Sequence, residues 1–102
     1  MSDRKIVLVH GGYTRKRVRE IMDRVKYSLT EAGLDVKTHY GKLYIQTKNV
    51  HVIFTTHYSN VQHIKASEVF GFTDDEAQKL RKSGKAENYN GSLIDYIIRA
   101  EQ

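Results

Sequence analysis

The sequence predicts a single α/β domain: a mixed sheet of four or five strands, one long amphipathic helix after the first strand and two shorter C-terminal helices. Three observations support this fold class. A continuous apolar run leads through a glycine turn into a helical repeat, alternating segments fill the middle of the chain, and two helix-capping signals follow them. A chain of 102 residues is long enough for one modest core. We therefore expect residues 1–102 to form one domain of three layers.

The first strand–helix unit spans Lys5 to Ala32. The run from Ile6 to Val9 is continuous in apolar residues, which is typical of a strand buried on both faces. Two glycines end this strand, and Thr14 is suited to cap the helix that follows. Gly33 supplies the signal that ends this helix. Spacings of three and four place the apolar residues of the helix on one stripe: Val18, Ile21, Met22, Val25, Leu29 and Ala32.

The middle of the chain predicts strands joined by turns. Leu34 to Tyr40 alternates between apolar and polar residues, and the alternation resumes from Leu43 to Thr47. Gly41-Lys42 between them fits a type II′ turn, which has glycine at its first central position. A weaker turn at Lys48-Asn49 leads to a third strand, Val50 to Thr56. We expect an antiparallel hairpin, added to a parallel pair formed through the first helix.

The C-terminal third predicts a short strand and two helices, after a polar stretch from Thr55 to Ala66 that has no clear assignment. The strand is Glu68 to Phe72. A capping box, Thr73 to Glu76, opens a helix that runs to Lys82 and stops at Gly84. The remaining predictions are a loop and a capped terminal helix that packs on the core: Asn88 to Gly91, then Ser92 as the cap, with Leu93, Ile94, Ile97 and Ile98 facing inward.

Charge and composition narrow the classes of function. No apolar run approaches the roughly 20 residues that a membrane-spanning helix needs, and the N-terminus does not resemble a signal peptide. The absence of cysteine excludes disulfides and thiolate metal sites, so we expect a cytoplasmic protein without a membrane partner. The net charge of +5 is compatible with an acidic partner such as nucleic acid, and also with a solvated basic surface.

The glycine turn is the candidate binding site. Arg15, Lys16 and Arg17 lie in the first turn of the helix, where positive side chains are unfavourable unless an anion neutralises them. Backbone N–H groups at a helix start favour a phosphate there. The alternative is a basic turn that only faces solvent. On the flank of the helix, Glu20 is spaced to pair with Arg24, and Asp23 is spaced to pair with Arg19. The predicted anion- or nucleic-acid-binding set is Gly11, Gly12, Tyr13, Thr14, Arg15, Lys16, Arg17, Arg19 and Lys26.

Known phosphate-binding motifs do not match this turn. The pattern G-x-x-x-x-G-K-[ST], started at Gly11, places Lys16, Arg17 and Val18 where glycine, lysine and serine or threonine are required. The dinucleotide pattern G-x-G-x-x-G fails at Tyr13. The residues that cradle a nucleotide with Mg²⁺ are therefore missing.

Two segments of the chain nevertheless resemble a reduced P-loop-like domain of the kind found in phage terminase and helicase motor subunits. They are Ile6 to Val18 (IVLVHGGYTRKRV) and Val52 to Phe72, in which the strand VIFTT is followed by a polar stretch and SEVFGF. The acidic residues depart from the motor pattern, since Glu68 precedes the apolar run and Asp74 lies in a capping box. The resemblance implies a relative that has lost hydrolysis, encoded by a phage or mobile element.

Three other patterns carry less specific signals. His10-Gly11-Gly12 resembles the oxyanion-hole segment of esterases, but the chain has no G-x-S-x-G elbow. The five histidines lack metal-ligand spacing. Three tyrosines and three lysines are interleaved as in a stacking platform for single-stranded nucleic acid, or else pack within hairpins: Tyr40, Tyr44 and Tyr58, with Lys37, Lys42 and Lys48.

The sequence thus predicts a small non-enzymatic binding protein without a cofactor. Its partner would be nucleic acid or a nucleic-acid-handling complex, contacted through the basic helix start. The alternative is a protein-interaction module, for example a phage-encoded inhibitor that docks on a host protein through a sheet edge or a tyrosine-rich patch.

Overall fold

A five-stranded mixed sheet with three helices forms the framework of the computed structural model, which describes residues 4–82 and 91–102. This architecture confirms the predicted α/β fold. The strands are β1 (Lys5–His10), β2 (Lys37–His39), β3 (Tyr44–Gln46), β4 (Val50–Thr55) and β5 (Glu68–Phe70). The helices are α1 (Arg15–Glu31), α2 (Asp74–Leu80) and α3 (Leu93–Glu101), and a short 3₁₀ turn covers Tyr58–Asn60.

The strand order is β2-β3-β4-β1-β5, with β4 in the centre and β1 between β4 and β5. β1 pairs in parallel with both β4 and β5, so that Leu8 lies opposite Ile53 on one side and Val69 on the other. β2, β3 and β4 pair in antiparallel fashion. The predicted hairpin and the predicted parallel pair are both present, and the continuous apolar sequence of β1 follows from its interior position between two parallel neighbours.

The two sides of the sheet are covered unequally. One side, which we call the closed face, packs against α1 and α3. On the other side a smaller cluster under α2 covers β1 and β5 and reaches Ile53 of β4. Three layers are present there, and the buried members of the cluster are Leu8, Val61, Ala66, Val69, Ala77 and Leu80. The remaining part of that side, formed by β2, β3 and β4, is the open face. Except for Thr55, its side chains are exposed or half-buried, whereas their neighbours one residue along are mostly buried.

The ends of α1 follow from the residues that the sequence places there. The Thr14 hydroxyl accepts the N–H of Arg17 at 3.2 Å, which confirms the predicted N-cap. Gly33 has a φ of +86°, and the N–H groups of Gly33 and Leu34 donate to the carbonyls of Thr30 and Leu29. These two bonds form a Schellman motif, which needs a left-handed residue after the C-cap and so explains the glycine.

The predicted ion pairs along α1 are wrong. Glu20 pairs with Arg17, three residues before it, at 3.3 Å instead of with Arg24. Asp23 accepts a hydrogen bond from the Tyr40 hydroxyl in place of a salt bridge with Arg19. This bond raises the pKa of Tyr40, because it stabilises the protonated phenol.

The β2–β3 turn also differs from the prediction. The loop has four residues, 40–43, and Gly41 is not in the left-handed region that a type II′ turn requires. Leu43 instead has a φ of +57°, and its side chain is buried. The Lys42 N–H donates to His39 Nδ1 at 3.0 Å, which closes the loop locally.

Several elements are shorter than predicted, and β3 and β4 lose one or two residues at their ends. β2 does not reach back to Leu34, and β5 ends before Gly71. α2 ends at Leu80 because the next two residues extend along Ala66: Ala66 N–H donates to the Leu80 carbonyl, and Lys82 N–H donates to the Ala66 carbonyl. The predicted stop at Gly84 and most of the predicted loop, residues 88–90, lie outside the described residues.

Gly71 and Gly33 provide a matched pair of glycine substitutions. Both have positive φ values, +83° and +86°. A Cβ on Gly71 would lie 2.5 Å from the carbonyl oxygen of His10, whereas a Cβ on Gly33 would meet nothing within 4 Å. We expect Gly33→Ala to lower the free energy of unfolding by about 1 kcal/mol, the cost of a left-handed residue, and Gly71→Ala by about 2 kcal/mol or more. Urea denaturation measures both. Equal losses would contradict the predicted clash.

Candidate nucleic-acid interface

Three ring side chains form a continuous row across the open face, which we call the ring row: His39 from β2, Tyr44 from β3 and His51 from β4. The His39 and Tyr44 rings are stacked, with centroids 5.2 Å apart and planes at 24°. The Tyr44 and His51 centroids are 4.9 Å apart, with planes at 35°. The row therefore presents ring faces and edges along a line that crosses three strands.

Strand register produces the ring row. His39 lies directly opposite Tyr44 in the β2–β3 ladder, so both side chains leave the same face. In the next ladder Gln46 lies opposite His51, one diagonal step from Tyr44. Ile45, between Tyr44 and Gln46, is fully buried on the closed face. Alternation thus keeps the apolar set in the core and leaves the rings on the open face.

A basic cleft of about 490 Å³ adjoins one end of the ring row. It lies where β1, β4 and β5 begin, and we call it the cationic cleft. Its lining includes Arg4, Ile6, Gln46, His51, Lys65 and Lys82. No carboxylate from the described part of the chain lines it. Because His51 belongs to both features, the ring row leads directly into the cleft.

Hydrogen bonds orient three of the cleft side chains, and one of these bonds runs from Lys65 Nζ to the Lys79 carbonyl at 2.5 Å. Arg4 Nε donates to the Thr47 carbonyl at 3.1 Å, which fixes the guanidinium and leaves its terminal N–H groups for other partners. His51 Nδ1 bonds to Gln46 Oε1 at 3.2 Å. Since an amide oxygen can only accept, Nδ1 is the donor and the neutral ring carries its lone pair on Nε2.

Burial, with the Arg4 charge adding to it, lowers the pKa of His51 below the ordinary value of 6.5. At neutral pH the ring is therefore uncharged. The other charged groups of the same cleft, Lys65 and Lys82, are also cationic. An anion in the cleft would oppose this effect and favour the protonated ring.

The lowered pKa of His51 predicts a pH dependence of stability. Between the folded-state pKa and 6.5 the unfolded chain binds more protons at this residue than the folded chain does. The contribution of His51 to the free energy of unfolding therefore rises with pH through that window, and it is lost as the pH falls through the same window. We expect His51→Gln to flatten this part of the profile in urea denaturation, and His63→Gln, which removes an exposed histidine outside the cleft, is the control. An unaltered slope in His51→Gln would contradict the assignment.

The predicted glycine-turn site is only partly assembled. Gly11 is buried, and Gly12 has a φ of +127°, so the turn has the geometry expected of paired glycines. Two of its cations, however, already have partners. Arg15 donates to the Gly41 carbonyl at 2.7 Å, and Arg17 pairs with Glu20. The N–H of Arg17 is used by Thr14. Fewer donors remain for an anion than the sequence suggests.

The other predicted residues of that site are exposed. Tyr13 is 75% exposed, and its ring contacts His10 and His57. Within residues 4–82 and 91–102 no carboxylate pairs with Lys16, Arg19 or Lys26. These three side chains stay available as a second basic surface along α1. A role for them in binding stays a prediction.

The predicted tyrosine platform is replaced by the ring row. Only Tyr44 lies on the open face. Tyr40 bonds to Asp23 of α1, and Tyr58 packs edge-on against Phe72 at the other end of the sheet. The two histidines that flank Tyr44 were not part of the predicted platform. Alternation alone places His39 on the side opposite Tyr40, but its stacking on Tyr44 depends on the register.

A smaller crevice of about 320 Å³ lies where the three parallel strands end. Its lining includes His10, Tyr13, His57, Tyr58 and Glu76. The Glu76 carboxylate is engaged in the capping box of α2, with the N–H of Thr73 as its donor at 3.1 Å. This crevice combines rings with one acid, and no lysine or arginine of the described residues lines it, so it suits an anion less well than the cationic cleft does.

The described residues hold neither a candidate metal site nor a candidate membrane span, and the chain matches no known protein in the comparisons. Among the described residues no group of three or more histidine, aspartate or glutamate side chains is placed to hold a metal ion. No described helix is both long and apolar enough to span a membrane. No protein-family model matches the chain, and comparisons with curated proteins and with solved structures found no match either. The resemblance to terminase and helicase domains stays a prediction.

Proposed function

We propose that this protein is a non-enzymatic binder of single-stranded nucleic acid and that the open face is its binding surface. The observation that carries the proposal is the ring row, His39-Tyr44-His51, which leads into the cationic cleft. Proteins that bind single strands combine stacking rings with a basic groove along the backbone. Here both parts lie side by side on a rigid sheet.

The proposed binding surface is the open face, whereas the sequence predicts the basic helix start. The class of partner, nucleic acid, is the same in both. Arg17 at the helix start pairs with a carboxylate, whereas the cleft cations, two of which donate to backbone carbonyls, face a space that no carboxylate of the described residues lines. The net charge of +5 favours association with a polyanion. Single strands are favoured over duplexes because only unstacked bases can place their faces against protein rings.

Fluorescence anisotropy tests the proposal. Labelled oligothymidylate and oligouridylate are titrated with the protein, beside a duplex of equal length, over a series of salt concentrations. We expect the single strands to bind more tightly than the duplex. The logarithm of the association constant should fall with the logarithm of salt concentration with a slope of about −2, which corresponds to three phosphates neutralised. Absence of association at low salt would refute the function. Capture of the protein by a protein partner after nuclease treatment would favour the interaction-module alternative.

A further inference from the structure

We infer that the cationic cleft binds a phosphate monoester, the group at a phosphorylated strand end or on a mononucleotide. The inference rests on the proposed function and adds a preference for strand ends to it. Arg4, Lys65 and Lys82 surround a volume of about 490 Å³. Clefts that hold small ligands have volumes of about 300–1,000 Å³, so the space suits one nucleotide.

The charge of the lining favours a monoester over an internal phosphodiester. A diester carries one negative charge, whereas a phosphate monoester carries about −1.5 to −2 at neutral pH. Three cations, with no carboxylate from the described residues among them, are better neutralised by the monoester. The adjoining diester of the same strand can then neutralise the third cation.

The orientation of the cleft side chains fits a tetrahedral anion. Arg4 is anchored through Nε, so its terminal N–H groups are held ready for a bidentate contact with two phosphate oxygens. His51 Nε2 carries a lone pair in the neutral ring and becomes a donor when protonated. The doubly charged group would promote that protonation. The cleft therefore offers a fixed guanidinium and an imidazole that becomes protonated when the phosphate binds.

The position of His51 links the phosphate to the ring row. His51 lines the cleft and also contacts Tyr44, with centroids 4.9 Å apart. A strand whose terminal phosphate lies in the cleft would place its first base against these rings. The predicted site at Gly11 to Thr14 lies at the opposite end of β1, so the two basic surfaces can be tested separately.

Oligothymidylates that differ only at their ends test the inference. Internally labelled strands with a 5′-hydroxyl, a 5′-phosphate or a 3′-phosphate are titrated at equal ionic strength. We expect one of the phosphorylated strands to bind about tenfold more tightly than the hydroxyl strand, as a charged hydrogen-bonded contact would give. Lys82→Gln should remove most of this difference. Lys26→Gln, which removes the same charge from α1, should preserve it.

The outcomes separate the inference from the proposed function. Equal affinity of all three strands overturns the inference and leaves single-strand binding intact. If no strand binds but thymidine monophosphate, unlike thymidine, shifts the amide resonances of His51 and Lys82, the cleft assignment is supported and the proposed function is not. If neither strands nor monophosphate bind, both are refuted. Lys65→Gln replaces Lys82→Gln if the latter lowers the unfolding midpoint.

Discussion

Arg81→Ala should destabilise the protein by about 3–5 kcal/mol, since it leaves a buried carboxylate without its counter-charge. Glu68 is 3% exposed, and its Oε1 atom accepts from Arg81 Nη2 at 2.8 Å and from Nε at 2.9 Å. The only other donor to that atom among the described groups is the N–H of Val69, at 3.0 Å. Total stabilities of about 5–15 kcal/mol make such a loss easy to detect.

Urea denaturation at neutral pH measures the effect as a shift of the midpoint at constant slope. Lys79→Ala is the matched control, because Lys79 is an exposed cation on the adjacent helix, α2; we expect it to change the free energy of unfolding by less than about 0.5 kcal/mol. The double variant Glu68→Met/Arg81→Met should recover much of the loss, since no charge is then buried alone. A loss below about 1 kcal/mol in Arg81→Ala would contradict this account of the pair.

The Glu68–Arg81 ion pair also helps to position the residues of the cationic cleft. Arg81 is followed by Lys82, and the backbone of both residues pairs with Ala66 beside Lys65. The Glu68–Arg81 pair therefore fixes the segment that supplies two of the cleft cations. We expect a protein that folds without this pair to bind strands more weakly, even though neither residue lines the cleft.

Local patterns in the sequence predict most of the framework. The stripe on α1, the caps at Thr14 and Thr73 and the continuous strand β1 each depend on residues within a few positions of one another, and the structure has all of them. Where a local pattern competes with a distant partner, the prediction is wrong. α2 stops early because Ala66 pairs with the residues that follow Leu80.

The candidate site is harder to predict because it is assembled from distant segments. The ring row exists only in the register that sets His39 opposite Tyr44, and a shift by one residue would send the Tyr44 ring to the closed face. That register depends on the four-residue loop, 40–43. The glycine in this loop does not by itself indicate the length of the loop. The cationic cleft combines Arg4, Lys65 and Lys82, which no spacing rule relates. The sequence therefore indicates a basic protein but not which basic residues converge.

Tyr44→Ala should weaken single-strand binding by ~5- to 150-fold, because stacking of one base on a protein ring contributes about 1–3 kcal/mol. Tyr44 is the central member of the ring row and contacts both histidines, so its loss breaks the row into two separate rings. Its side chain is half-buried on the open face, outside the two core clusters, so we expect the fold to persist. Anisotropy titration with oligothymidylate measures the change.

The controls distinguish stacking from charge and from general loss of a tyrosine. Tyr44→Phe keeps the ring and should bind within about twofold of the wild type. Tyr27→Ala removes an exposed tyrosine from α1 and should leave affinity unchanged. The salt slope should be the same in Tyr44→Ala as in the wild type, since a base stack releases no counterions, whereas Lys82→Gln should reduce it by about 0.7. If Tyr44→Ala binds as tightly as Tyr27→Ala, the nucleic acid does not use the open face. If, in addition, Lys16→Glu/Arg19→Glu binds more weakly than the wild type, the nucleic acid binds to α1 instead.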